Sequence, residues 1–429
     1  TSFLQPATSK DLSNSRVLSI VNSDTLIFKN LTIRWGNATN TIGNKNGGNI
    51  YIENSIVNLD NVNVIEGKAE RGGGIYTNGT RNRGSVFHNF RNSYIADNQS
   101  TVSGGGGIYI TSNKWNDNRT VIEQCLIANN SAPLTIGGGI YLEPYVIDEF
   151  AGTGKLCDLT VKNTTIYNNS ATNGGGIATG WKNVPATIKL INNTIAYNKA
   201  TASGSGGGPG GISNRSTSKI SISLINNLFC DNTGMRWNET APTVYNATLA
   251  GLTILQADNN IFTDNSAQNA LNYSQKIQSG NQFKDNSFVL LDDKLADNGG
   301  TNMTLKFTNA NSIAINAGLS TTSIMYDQRG FKRDNMPDVG AFEYDATSSV
   351  PLTSMNQLLQ YSKEDHVLYL TEKGVYDIYI YDIVGKKILE KMNYEADTLA
   401  LPRLNNSSVY LITALNRETK EKSNLKILL

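Results

Sequence analysis

A glycine run followed by Ile and then an aromatic residue recurs along this chain about every thirty residues, and no other feature restricts the fold as strongly. It reads Gly47-Gly48-Asn49-Ile50-Tyr51, then Gly72-Gly73-Gly74-Ile75-Tyr76, Gly105-Gly106-Gly107-Ile108-Tyr109 and Gly137-Gly138-Gly139-Ile140-Tyr141. Later copies drift to Gly174-Gly175-Gly176-Ile177-Ala178 and Gly208-Pro209-Gly210-Gly211-Ile212. Successive Ile residues lie 25, 33, 32, 37 and 35 positions apart. Between the copies runs a second unit, a short apolar stretch closing on Asn98, Asn130, Asn169, Asn198, Asn232 and Asn265.

Two short strand types alternating at a variable period predict a β-solenoid, in which each coil pairs in parallel with the coils above and below it. Ile50, Ile75, Ile108, Ile140, Ile177 and Ile212 then form one interior row. The Asn residues are expected to stack at a corner in the left-handed conformation that Asn tolerates. Variation in the period falls in outward loops. Val17–Val21 and Ile220–Ile225 alternate with period two, which excludes an α-solenoid. A propeller would need antiparallel hairpin turns that the Gly and Asn corners do not supply.

Composition narrows the partners. There are 37 basic and 36 acidic residues, so net charge gives no reason to expect nucleic acid or an anionic membrane. No apolar run reaches the length of a membrane span. The opening Thr1-Ser2-Phe3-Leu4 has neither Met nor a basic leader, which leads us to expect a mature or trimmed form. Residues 1–16 are polar and are expected to be a remnant of a cap on the first coil. The scattered Cys125, Cys157 and Cys230 fit no metal pattern and read as buried free thiols.

The glycine–Ile–Tyr and Ile–x–x–Asn units resemble the repeats of pectin-lyase-like right-handed β-helix proteins and, less closely, those of chlamydial-type polymorphic outer-membrane adhesins. The resemblance covers residues 17–265. Downstream, Leu295–Gly300, Ser312–Gly318, Asp327-Gln328-Arg329-Gly330, Arg333 and Asp338–Glu343 resemble the choice-of-anchor Q domain, with Ile313 and Asn316 where that family has Pro and Asp. After residue 353 the repeats stop. Val375–Tyr381, Asp382–Gly385, Val409–Ile412 and Leu425–Leu429 resemble the type IX secretion sorting domain, with Ser408 in place of the usual Gly. These resemblances imply export to the outer surface of a Gram-negative cell and attachment there.

The expected organisation is a right-handed parallel β-helix over 1–290 and a choice-of-anchor Q-like cap over 291–345. A linker over 346–353 and a small antiparallel β-sandwich over 354–429 follow. Asp327, Arg329, Arg333 and Glu343 read as a structural ion-pair network rather than a catalytic group.

Catalytic motifs are sparse. The ordered carboxylate, His-Gly and Arg-Ile-Lys signatures of polygalacturonase-like enzymes are absent. His88, in the alternating run Val86–Phe90, reads as a surface or corner residue. Asp148 and Glu149, with Glu143 nearby, form the best acidic cluster, but solvated loop charge explains them as well. No metal site or cofactor is expected, and no motif supports calcium.

One spatial expectation follows from the shared register. If Ile points inward, alternation turns Tyr51, Tyr76, Tyr109 and Tyr141 outward, beside loops carrying Arg81, Trp115, Asp117, Arg119 and Trp181. Such an aromatic ladder suits a polysaccharide, whose sugar faces are apolar and whose edges are polar. Stacked Tyr rings also stabilise a sheet with no ligand at all. The expected function is therefore a monomeric surface β-helix binding polysaccharide, host surface glycan or host matrix without catalysis. The alternatives are a lyase or glycoside hydrolase acting in a groove along the rod, and a structural spacer.

Overall fold

A computed structural model describes the chain except for residues 1, 80–87, 113–116, 145, 149–152, 155, 181–184, 203–206, 215–219, 237–238, 250–251, 274–277, 321–323, 345–358, 363–366, 371–373, 383–384, 397, 402–408, 419–421 and 429. The chain divides into two compact units, Thr1–Pro351 and Leu352–Leu429. The expected linker over 346–353 lies outside the described residues.

The first unit is a right-handed parallel β-helix. An 8-stranded sheet holds one strand per coil, from Leu18–Val21 through Ile50–Glu53, Ile75–Asn78, Ile108–Thr111, Ile140–Leu142, Ile177–Thr179 and Ile212–Ser213 to Ala247–Thr248. Ile50, Ile75, Ile108, Ile140, Ile177 and Ile212 are direct neighbours in this register, and each is buried in one continuous core. Burying such a row removes about 2 kcal/mol of apolar exposure per side chain. A 17-stranded sheet takes two successive strands from most coils, such as Asn118–Glu123 and Leu126–Ala128. A 7-stranded sheet of short strands completes the coil.

Each coil turns through left-handed residues. Asn92, Gln124, Asn163, Asn192, Asn226 and Asn259 have φ between 44° and 55° and lie between the paired strands of the 17-stranded sheet. The next corner uses Asp97, Asn129, Asn168, Tyr197 and Asp231. Here the expectation needs correcting. The left-handed residue is the one before each repeating Asn; the repeating Asn itself turns inward and is fully buried. Asn49, Asn98, Asn130, Asn169, Asn198, Asn232 and Asn246 form one chain of amide-to-amide hydrogen bonds of 2.7–3.2 Å. Asn265 is not in it, and Asn246 takes that place.

The glycines solve a backbone problem. Gly138 passes so close to the next coil that an added Cβ would sit 2.5 Å from the carbonyl oxygens of both Gly175 and Ser170. Only a residue without a side chain lets coils stack there. His88 also departs from expectation, being fully buried and pointing into the core. Its Nδ1 accepts the Val57 N–H at 3.2 Å, its ring stacks on Phe90, and its Nε2 has no partner. Residues 2–16 lie against the first coil, where Ser2–Leu4 pairs in parallel with Leu31–Ile33 and Lys10 meets Glu66 at 2.9 Å.

Residues 286–320 and 324–344 run along the flank of the stack. Left-handed corner residues on several coils hold them: Gln124 Nε2 donates to Asp327 O, Asn226 Nδ2 to Leu319 O and Asn259 Nδ2 to Ala317 O. Arg333 donates to Asn163 Oδ1 at 3.1 Å. Val289, Leu305, Phe307, Ala314, Val339 and Phe342 form a second core with Ala196, Leu228, Cys230 and Ile261 of the coils. Within the strap, Arg329 pairs with Asp327 and Arg333 with Glu343, both at 2.7 Å and both buried. The Arg329 guanidinium also lies 3.7 Å from the Phe342 ring centroid.

The second unit is a small antiparallel sandwich of a 3-stranded and a 4-stranded sheet around Leu359, Leu368, Tyr376, Ile378, Ile380, Leu399 and Ile412.

Candidate ligand-binding face

The Tyr row forms as expected but is not an open strip. Tyr51, Tyr76, Tyr109 and Tyr141 are in register, with ring centroids 5.4, 5.1 and 5.0 Å apart. They point away from the Ile core and make a separate cluster with Ile136 and Ala178, yet Tyr76, Tyr109 and Tyr141 are only 7%, 3% and 4% exposed. Gly104 lies so close over Tyr141 that a Cβ there would come within 2.4 Å of the ring. The Arg16 guanidinium stands 4.9 Å from the Tyr51 ring centroid at the other end of the row. The hydroxyls are engaged too: Tyr51 donates to Glu53 at 2.8 Å and Tyr109 to Glu143. Burial pushes the Tyr76 hydroxyl up to about 12 and raises that of Tyr109. Alternation gave the direction of the rings correctly; the neighbouring chain that covers them decides their access.

Arg119 belongs to a different surface from the Tyr row. It projects outward from Asn118–Glu123 on the 17-stranded sheet, 3.4 Å from Asp158 on the next coil. Asp117, at the head of that strand, accepts the Leu156 N–H at 2.9 Å. Burial raises the Asp158 carboxyl above its ordinary range, the hydrogen bond from Thr187 and the Arg119 charge oppose this, and Asp117 adds to it. Arg81, Trp115, Trp181 and Glu149 lie outside the described residues. Asp148 closes the strand Val146–Asp148, which pairs antiparallel with Thr153–Gly154; its side chain lies outside the described residues.

The outer face around Arg119 is the surface that reading the loops missed. Strands on successive coils present three parallel columns there. One runs Arg119, Asp158, Thr187, Ser221. The middle one runs Asn58, Asn89, Val121, Thr160, Lys189, Ser223. The third runs Lys29, Asp60, Arg91, Glu123, Lys162, with charge alternating at every step. Glu123 stands 3.7 Å from Arg91 and 3.3 Å from Lys162. The Oδ1 atoms of Asn58 and Asn89 are buried beneath this face without hydrogen-bond partners. The period-two strands carried this signal, but which charges become neighbours depends on the register between coils.

Among the described residues no three His, Cys, Asp or Glu side chains group as a metal site. No protein-family model, curated protein or solved structure matches the chain, so the pectin-lyase-like, choice-of-anchor Q and type IX readings rest on the residues quoted above.

Proposed function

We propose that this protein is a surface-attached β-helix of a Gram-negative bacterium that binds glycan without catalysis. The contact surface is the outer face of the 17-stranded sheet rather than the Tyr row. The observation that carries this reading is the set of in-register polar columns through Asn58, Asn89, Thr160 and Ser223, with Arg119 and Asp158 alongside. A regular array of donors and acceptors that follows the coil axis matches a ligand that itself repeats along a line. The strap over 291–345 serves as an anchor-proximal module and the sandwich over 354–429 as a sorting domain. Binding of the full chain to a glycan array, with Thr160→Ala and Asn89→Ala weakening it, supports the reading. Absence of binding to every glycan favours a spacer.

A hydrolase or lyase is the second reading, favoured by one observation. Asp158, with its raised carboxyl, sits beside Arg119 and feels the charge of Asp117. An acid of raised affinity for protons beside a second carboxylate is one arrangement that general acid–base chemistry uses. Formation of reducing ends or unsaturated products from a polysaccharide, abolished by Asp158→Asn, or by Asp148→Ala or Glu149→Ala in the loop cluster, would establish it.

A further inference from the structure

We infer that the face around Arg119 selects anionic polysaccharides, whose carboxylate or sulfate groups meet a cation on each of four successive coils. This rests on the glycan-binding reading of the same face. The argument begins with charge. From strand His88–Arg91 to strand Ala186–Ile191, the outward positions hold four cations, Arg91, Arg119, Lys162 and Lys189. Against them stand two carboxylates, Glu123 and Asp158. Asp117, at the margin, has its Oδ1 committed to the Leu156 N–H. The whole chain carries a net charge of only +1, so the surplus on this patch is a local arrangement.

Pairing does not remove the surplus. Glu123 is shared between Arg91 and Lys162. Arg119 has Asp158 at 3.4 Å with both side chains partly exposed. Exposed ion pairs of this kind are worth little, so exchanging one for a ligand anion is inexpensive. Lys189 is exposed and makes no ion pair among the described residues.

Spacing sets the shape of the ligand. The four cations fall one to a coil, on coils spaced about 4.8 Å apart, with Lys189 in the middle column, Arg119 in the column on one side and Arg91 and Lys162 in the column on the other. A linear polymer laid along the middle column passes one cation at each coil, Arg91 and Lys162 on one side, Arg119 on the other and Lys189 in the column itself. The middle column then offers Asn89 and Thr160 to its hydroxyls. A branched or globular anion could engage only one or two coils.

The test uses the full chain and measures affinity for four polymers: a polyuronate, a sulfated polysaccharide, a neutral dextran and duplex DNA. The expected result is binding to the polyuronate or the sulfated polymer, with the preferred arm identifying the anion. Lys189→Ser and Lys162→Gln should each weaken it roughly fivefold to tenfold. Raising salt from about 50 mM to about 500 mM should weaken it further, as screening requires. Lys284→Ser, outside the face, should change nothing. Equal affinity for dextran overturns the charge selection and leaves the glycan reading standing. Loss of binding to all the polysaccharides removes both, and DNA binding as tight as glycan binding overturns the assignment to a carbohydrate.

Discussion

Asn130 donates its side-chain Nδ2 to Oδ1 of Asn169 at 2.9 Å, and its backbone N–H reaches the same oxygen at 2.9 Å. Each Asn in the row thus closes the corner of its own coil and holds the next. Asn169→Ala leaves buried donors of Asn130 unsatisfied and should cost on the order of 3 kcal/mol. The half-buried, left-handed neighbour Asn168, which meets only Asn129 Oδ1 in that row, should cost about 1 kcal/mol when changed to Ala. Denaturant unfolding of both variants checks the order; equal losses would refute the inward ladder.

Gly138→Ala should disrupt coil stacking, because the new methyl meets two backbone carbonyls that cannot move independently. A loss of roughly 3 kcal/mol or more is expected. Gly43 has φ of +87° and open space around it, so Ala there carries backbone strain alone, about 1 kcal/mol. Thermal unfolding distinguishes the two.

His88 gives the fold an acid limit. Burial lowers its affinity for protons from the ordinary 6.5 to about 4. Between those values the unfolded chain binds a proton that the folded chain refuses. The stabilisation is therefore complete above the ordinary value and is lost as pH falls toward 4, by roughly 3 kcal/mol. His88→Leu should flatten this acid limb in stability measured from pH 7 to pH 4.

Asp338 acts in the opposite sense. Burial, then the neighbouring Glu343, pushes its carboxyl up to about 7, while it accepts the N–H groups of Tyr344 and Asn316. The folded chain keeps a proton that the unfolded chain releases above the ordinary 3.8. Its contribution is greatest below that value and declines as pH rises to about 7. Asp338→Asn should remove this decline; an unchanged profile would show that the strap is insensitive to this group.

Burial also disarms the thiols. Cys125 is pushed up to about 12, and Cys157 and Cys230 are raised as well. Native protein at pH 8 should resist an alkylating reagent, and denatured protein should react at all 3 cysteines. Rapid labelling of the native chain would place a thiol at the surface.

The repeating Ile residues announced their interior row because burial on one side of a strand demands the same kind of residue at the same place in every coil. The glycine runs marked the tight corners for a similar local reason. The sequence by itself therefore determined the parallel β-helix and the inward positions. Only the tertiary structure decided what the outward positions do. Tyr109 and Tyr141 were legible as outward but not as covered, because Gly104 and Ile136 close over the row from separate turns. His88 looked like a surface residue because one polar side chain in a short strand does not reveal its parity. The strap's grip on Asn163 and Asn226, and the meeting of Arg91 with Lys162 at Glu123, depend on how loops of unequal length bring the coils into register. A local pattern sets which way a side chain faces, while its neighbours and its exposure are properties of the stacked whole.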